Sequence, residues 1–381
     1  MAYFDNAATT YPKPEVVYAF MDQFYRNNGA NAGRGDYELA QTAGALIADT
    51  RKRICKILDC PAKQVVFTPS ATIALNMVIQ GLLETDIKNV YITPFEHNAV
   101  TRTLHHYEQK GIIQVHQLAV SEKLVYDMVL IKQQFEESPP DLVIMSHASN
   151  VIGLIAPVEE IALLGKKFNS TIVVDMAQTA GLVGLNVGLE TIDYAIFAGH
   201  KTLYGPTGIA GFVMKPDSKL PTVLFGGTGY DSANQDMPSS IPERYEMGTM
   251  NICGVAGLNA SLRWIEEQTI ENLFAEEQYR RKKLINLLSQ YDFLKIVGNE
   301  EGGQYVGIVS AIIEGISSDS AGPLFDRLGI AVRTGLQCAP YAHRFLKTYP
   351  AGTVRFSINS FTDDKDFDEL AEALDYIEEN L

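Results

Sequence analysis

Tyr194-Ala-Ile-Phe-Ala-Gly-His-Lys201-Thr-Leu-Tyr-Gly-Pro206 is the stretch on which the reading of this chain turns. Tyr194 to Ala198 is a continuous apolar run, the pattern of a strand covered on both faces rather than one with a wet side. It ends in Gly-His-Lys, and the Gly-Pro that follows marks a turn. Upstream, Thr171-Ile-Val-Val-Asp175 has the same form, an apolar run closed by one charged residue, followed by Met-Ala-Gln178. A lysine and an aspartate thus sit at the ends of two neighbouring buried strands. A carboxylate in that position is costly unless it meets a cation or a hydrogen-bond donor.

Working outward, short apolar runs of the same kind recur at Val65–Thr68, Val90–Thr93, Leu142–Ser146 and Ile209–Met214, alternating with helical stretches. This texture predicts an α/β fold with a large domain built on a mostly parallel seven-stranded sheet. Such sheets bind ligands beyond the carboxyl ends of their strands. Pro14 predicts the first turn of a helix running to about Arg26. Asp36 is the expected cap of the next helix, whose apolar spacing lasts until Asp59. From about Met250 the pattern shifts to a helix over Thr269–Gln290, a strand over Tyr305–Ile313, a helix to Leu328 and a terminal helix. The expected division is an N-terminal arm (1–15) packing near the small domain, a large cofactor-binding domain (16–250) and a smaller α+β domain (251–381).

Composition narrows the function. The chain has 381 residues, 46% hydrophobic and 20% charged, with a net charge of −15. That charge argues against nucleic acid and against an anionic membrane surface as partners. No window approaches 18 uninterrupted apolar residues. Cys55, Cys60, Cys253 and Cys338 have no metal-ligand spacing and are few for a disulfide scaffold, so no metal is expected and the cytoplasm is the expected compartment.

The lysine and aspartate suit pyridoxal 5'-phosphate (PLP). The Lys201 amine condenses with the cofactor aldehyde, and the Asp175 carboxylate keeps the pyridine nitrogen protonated. Other candidates follow strand ends in the same way. Ser70-Ala71-Thr72 opens a helix, whose free N–H groups and positive dipole end suit a phosphate; plain helix capping is the simpler reading. His97, after the Val90 run, is placed to stack on a ring and move protons, or is an ordinary loop histidine. Asn150 is placed to hydrogen-bond a ring hydroxyl with Gln178 nearby, or forms an Asx turn. Cys338, in Arg333-Thr-Gly-Leu-Gln-Cys-Ala-Pro340, lies in a loop where a thiol acts as a nucleophile and Arg333 would lower its pKa. A buried structural thiol is the alternative. Arg355, flanked by Val354 and Phe356, would clamp a substrate carboxylate, or form a surface salt bridge.

Taken together these stretches resemble the cysteine desulfurases of the class V aminotransferase group, within the fold-type I PLP enzymes, and the short cysteine loop looks like that of the subgroup that includes selenocysteine-lyase-like desulfurases. The resemblance rests on Phe4-Asp-Asn-Ala-Ala-Thr-Thr10, Ala30-Asn-Ala-Gly-Arg34-Gly35, Glu96-His97, Ser149-Asn-Val-Ile-Gly153, Val174–Gln178, Gly199-His-Lys201, Glu246–Asn251 and Arg333–Ala339. It implies that Lys201 carries the cofactor and that Asp175, His97, Asn150 and Gln178 surround the ring. It further implies that Ala71, Thr72 and His200 bind the phosphate, with Thr249 reaching it from the second subunit of a homodimer. Arg355, Asn150 and Arg34 would bind the substrate. The implied activity converts L-cysteine to L-alanine, leaving a persulfide on Cys338 for a sulfur-acceptor protein. A selenocysteine lyase or a cysteine-sulfinate desulfinase is the alternative, and an aminotransferase a more distant one.

Three features depart from that pattern. Ala198 stands where many relatives have a phosphate-binding serine, a loss of roughly 1.5–3 kcal/mol if uncompensated. Lys201 is one residue further from the Gly-Pro. Ser70-Ala-Thr72 replaces Gly-Thr-Thr.

Overall fold

The computed structural model describes residues 1–32, 35–230 and 232–381. Its largest element is a seven-stranded sheet. In spatial order the strands are Gln64–Thr68, Ala210–Met214, Tyr194–Ala198, Thr171–Asp175, Leu142–Ser146, Asn89–Ile92 and Gln114–Gln117. Ala210–Met214 runs antiparallel to both its neighbours and the other contacts are parallel.

The continuous apolar runs are explained by burial on two sides. Along Leu142–Met145, residues alternate between two separate cores: Val143 and Met145 face one, Leu142 and Ile144 the other. Helices Ala71–Leu83 and Asn98–Gln109 cover the second face, and Glu38–Ile57, Met128–Glu137 and Val158–Lys166 cover the first. Phe197 is fully buried and meets Phe67 edge-on at 6.4 Å. A side chain so buried contributes about 1.5–3 kcal/mol.

All six expected strands of this sheet start and stop within one residue of the observed ends, and Leu142–Ser146, Thr171–Asp175 and Tyr194–Ala198 coincide with them. The seventh, Gln114–Gln117, has no continuous apolar run because it is an edge strand with both end residues exposed. Asp36 does not cap the second helix. That helix begins at Glu38 behind Tyr37, with no side-chain cap bond.

A four-stranded antiparallel sheet, in order Arg333–Gly335, Thr353–Ser357, Ile308–Ile313 and Leu294–Val297, packs with helices Ile270–Leu288, Ser318–Arg327 and Asp364–Glu379 around a third core. The expected strand Tyr305–Ile313 is shorter than its apolar run, because Tyr305 and Val306 pack into the core of the large sheet. Ala2 and Phe4 of the N-terminal arm are buried in the third core, and Ala2–Tyr3 pairs in parallel with Ile330–Ala331. Helix Ile252–Gln268 lies with the core of the large sheet, beyond the division after residue 250 that the sequence texture suggests. It packs on Glu15–Asn28 and Glu38–Ile57, and Asn259 Nδ2 donates to Asp49 Oδ2 at 2.8 Å.

Candidate active site

The loop that carries Lys201 is shaped by backbone contacts on every side. At Gly199 a Cβ would lie 2.5 Å from the Ile209 carbonyl oxygen, so only glycine fits where the strand turns. The N-terminal arm then holds the lysine from outside. Thr10 Oγ1 donates to the Lys201 carbonyl at 2.8 Å, and Thr9 Oγ1 and Lys13 Nζ donate to the His200 carbonyl at 3.1 and 2.7 Å.

Lys201 opens into a cavity of about 280 Å³. Asp175 enters it from the end of the adjacent strand. One carboxylate oxygen, Oδ1, accepts the Ala177 amide at 2.9 Å, and no salt bridge reaches the group among the described residues. Burial therefore raises the Asp175 pKa, against the lowering pull of Ala177 and Lys201. Burial likewise pushes Lys201 down to about 8, against the pull of Asp175. Their mutual attraction is too weak to offset burial, and a flat cation with a free N–H would supply Asp175 with a direct partner.

At the far end, Ala71 and Thr72 begin the helix Ala71–Leu83. Ser70, not Thr72, is its cap: Ser70 Oγ accepts the Ile73 amide at 3.2 Å. That leaves the Ala71 and Thr72 amides and the Thr72 hydroxyl uncommitted beside the cavity. His200 Nδ1 is buried with no partner, and burial holds the ring neutral by pushing its pKa to about 4. Ala198 lines the same wall and offers no hydroxyl. A helix N-terminus, a hydroxyl and an unpartnered imidazole nitrogen are a donor set for a phosphate. These residues fit PLP, with Lys201 and Asp175 at its aldehyde and ring-nitrogen ends.

His97 and Asn150 line the middle of the cavity. His97 caps helix Asn98–Gln109, Nδ1 accepting the Ala99 amide at 3.0 Å. The cap leaves the ring proton on Nε2, and burial, then Lys201, push the pKa to about 4. Asn150 Nδ2 donates to the Gln337 carbonyl at 2.6 Å, so it braces the cysteine loop. Gln178 also lines the cavity, but its Nε2 donates to the Ala7 carbonyl at 2.9 Å.

Cys338 is exposed at the cavity mouth, which removes the buried-thiol reading. The Ala339 amide donates to the Leu336 carbonyl at 2.8 Å, and Gln337 and Cys338 have φ of 41° and 59°. This is a type I′ turn without glycine, a conformation that costs an ordinary side chain on the order of 1–3 kcal/mol. Its neighbours over-determine it: the Asn98 amide donates to the Cys338 carbonyl at 2.7 Å, and Gln337 Oε1 pairs with His343 Nε2 at 2.8 Å.

The two arginines meet on one carboxylate. Arg333 Nη2 donates to Asp5 Oδ2 at 3.0 Å, and its charge also acts on the Cys338 thiol. Arg355 is 3% exposed, so it is no surface ion pair, and Nη2 donates to Asp5 Oδ1 at 2.8 Å while Nη1 donates to the Asn150 carbonyl.

A family profile described as aminotransferase class-V matches residues 2–370. The chain belongs to the class-V aminotransferase family. This family member is 30% identical over 394 residues to a probable cysteine desulfurase of Aeropyrum pernix, covering 99% of this chain and 94% of that protein. It is 28% identical over 381 residues to a probable cysteine desulfurase of Methanothermobacter thermautotrophicus, covering 98% and 94%. Among solved structures, the apo cysteine desulfurase of Thermococcus onnurineus superposes with a TM-score of 0.91 at 27% identity, over 100% of this chain and 95% of that one. A cysteine desulfurase of Escherichia coli in an S-sulfonic acid form gives 0.86 at 25%, over 100% and 95%.

In this class-V family member, two expected residues stay apart from the rest. Thr249 is exposed and does not line the cavity of its own chain. Arg34 lies outside the described residues. Sequence reasoning missed Asp5 and Glu96 as single residues, although each lies in a quoted motif. Glu96 is fully buried; its carboxylate accepts the Thr93 hydroxyl at 2.6 Å and the Ser146 amide and hydroxyl at 2.7 and 2.8 Å. It ties the His97 loop to the strand beside Asp175, and burial pushes its pKa up to about 7. A buried acid one residue from a cavity histidine was the available signal.

Proposed function

We propose that this chain is a PLP-dependent cysteine desulfurase, converting L-cysteine to L-alanine and placing the sulfur on Cys338. One observation carries the reading: a single cavity is lined by Lys201 and Asp175 at its floor and by an exposed thiol at its mouth. The curated relatives described above bear the same activity in their names.

PLP, when bound, supplies an electron sink for charge developing at the substrate Cα. Asp175 holds the protonated ring nitrogen, while Ala71, Thr72 and His200 hold the phosphate. Lys201, with its pKa near 8, exchanges a proton with a substrate carbon close to neutral pH. His97 presents a neutral Nε2–H to the ring and the substrate. Arg355 takes the α-carboxylate, with Asn150 and Arg34 at the same substrate. The Cys338 thiolate attacks the substrate sulfur; the Cβ–S bond breaks, the carbon keeps the electron pair and gains a proton, and Cys338 is left as a persulfide. A sulfur-acceptor protein then receives the outer sulfur.

The reading includes a homodimer, because Thr249 is exposed and available to the partner's phosphate site. All four cysteines are free thiols, which suits the cytoplasm. Among the described residues no helix is long and apolar enough to cross a membrane.

The test is product analysis of the PLP-loaded protein with L-cysteine and a thiol reductant. Equal yields of alanine and sulfide, lost in Cys338→Ala, are expected. A Cys338→Ala variant as fast as the parent sinks the persulfide step. Fast turnover of selenocysteine or cysteine sulfinate in that variant would move the assignment to a lyase or desulfinase.

A further inference from the structure

Asp5 stands between two guanidiniums. Its Oδ1 accepts Arg355 Nη2 at 2.8 Å, and its Oδ2 accepts Arg333 Nη2 at 3.0 Å and Nε at 3.1 Å. The aspartate reaches them from the N-terminal arm, across 350 positions of chain. Its backbone is held independently of its carboxylate. Asp5 bridges to Ser357 beside Arg355, and its carbonyl accepts the Ala8 amide at 3.0 Å.

Both arginines line the cavity, on the side where Gln337 and Cys338 close it. Asp5 is not among the lining residues, so it braces the guanidiniums from behind. Arg355 is further held by the Asn150 carbonyl at 2.8 Å, while its Nε is buried without a partner. The guanidinium is thus aimed but not saturated. Two cations against one carboxylate leave one surplus positive charge at this end of the cavity. An amino acid with a single α-carboxylate matches that surplus, whereas one with an acidic side chain brings an anion too many.

Resting on the reading of this cavity as an amino-acid site, we infer that Asp5 is a positioning residue that sets charge specificity. It aligns Arg355 for the α-carboxylate and neutralises the second cation, so that amino acids with an anionic side chain are refused. The discrimination lies in the unpaired charge such a ligand would bring into a half-buried site.

The experiment is calorimetric binding of L-alanine and of L-aspartate to the PLP-loaded parent, Asp5→Asn and Asp5→Glu. L-Alanine carries one carboxylate, and L-aspartate has the charge of a cysteine sulfinate. The neutral, same-sized Asp5→Asn frees a positive charge. Its aspartate-to-alanine affinity ratio is expected to rise about tenfold or more, with Asp5→Glu returning to the parent ratio. If Asp5→Asn weakens both ligands alike, or leaves both unchanged, the residue does not set specificity and the inference is overturned. Loss of folding in Asp5→Asn with Asp5→Glu keeping the parent ratio and melting point also overturns it, since the carboxylate would then be structural only. A parent protein that binds neither amino acid refutes the underlying reading instead, which separates the two failures.

Discussion

The amide of Ala99 donates to Nδ1 of His97 at 3.0 Å, so the helix that follows the histidine fixes which ring nitrogen carries the proton. One side-chain atom serves the fold while the other is left for the cavity. His97→Asn keeps a capping acceptor and loses the ring; His97→Ala loses both. The alanine variant should be less stable than the asparagine variant by about 1 kcal/mol in urea unfolding, with both equally impaired in activity. Because the ring stays neutral down to about pH 4, no activity step between pH 6 and 7 should vanish with either variant.

Lys201 meets the cofactor aldehyde only as the free amine. Burial brings its pKa from 10.5 to about 8. The rate of covalent PLP uptake by the apoprotein should rise with pH through about 8 and level off above it. Lys201→Ala should show no covalent uptake. A rate still climbing toward pH 10 would mean that the amine is solvated.

Cys338 sits at positive φ in a turn that glycine would adopt freely. Cys338→Gly should be more stable than Cys338→Ala by about 0.5–1 kcal/mol, read from denaturant midpoints. Both should lose alanine production from L-cysteine by on the order of a hundredfold or more.

Glu96 accepts three hydrogen bonds with no exposure to solvent. Glu96→Ala leaves the Ser146 amide and the Thr93 hydroxyl buried without their acceptor, and should cost about 3 kcal/mol or more. Glu96→Gln keeps one acceptor oxygen and should cost about half of that. Equal melting points for the two variants would contradict the network.

Four histidines, His97, His147, His200 and His343, have pKa values pushed from 6.5 to about 4, burial being the main cause. In the unfolded chain each takes up a proton near pH 6.5, before the folded chain does. Their stabilising contribution is complete above pH 6.5 and is lost as pH falls toward 4. Glu96 and Glu277 are raised from 4.5 to about 7 and act in the opposite sense: their contribution is complete below pH 4.5 and lost as pH rises through 7. His147→Gln removes one group that destabilises the folded chain on acidification, so its urea midpoint should fall less than the parent's, or rise more, between pH 6.5 and 4.5.

The chemistry-bearing ends of the strands were legible because each is a local event. Thr171–Asp175 and Tyr194–Ala198 are apolar runs with one polar stop, and a sheet covered on both faces forces the stop to its rim. Gln114–Gln117 was not legible, since an edge strand with wet ends carries no such run. Capping and phosphate binding were both open readings of Ser70-Ala71-Thr72, because Ser70 and Thr72 share the chemistry and only the extended backbone at Ser70 selects it as the cap. Gln178 was assigned to a ring oxygen, yet its amide donates to Ala7, a partner that the arm delivers from far upstream.

By itself the sequence determined that a buried parallel sheet carries Asp175 and Lys201 at its rim, and that Cys338 lies in a loop. Those properties depend on hydrophobic periodicity and turn chemistry within a few neighbours. Only the tertiary structure decided that Asp5 bridges Arg355 and Arg333, that Asn150 braces the cysteine turn, and that His97 is held neutral. These depend on charges and hydrogen-bonding groups meeting, and on water being excluded, where distant segments pack together, which no local pattern encodes.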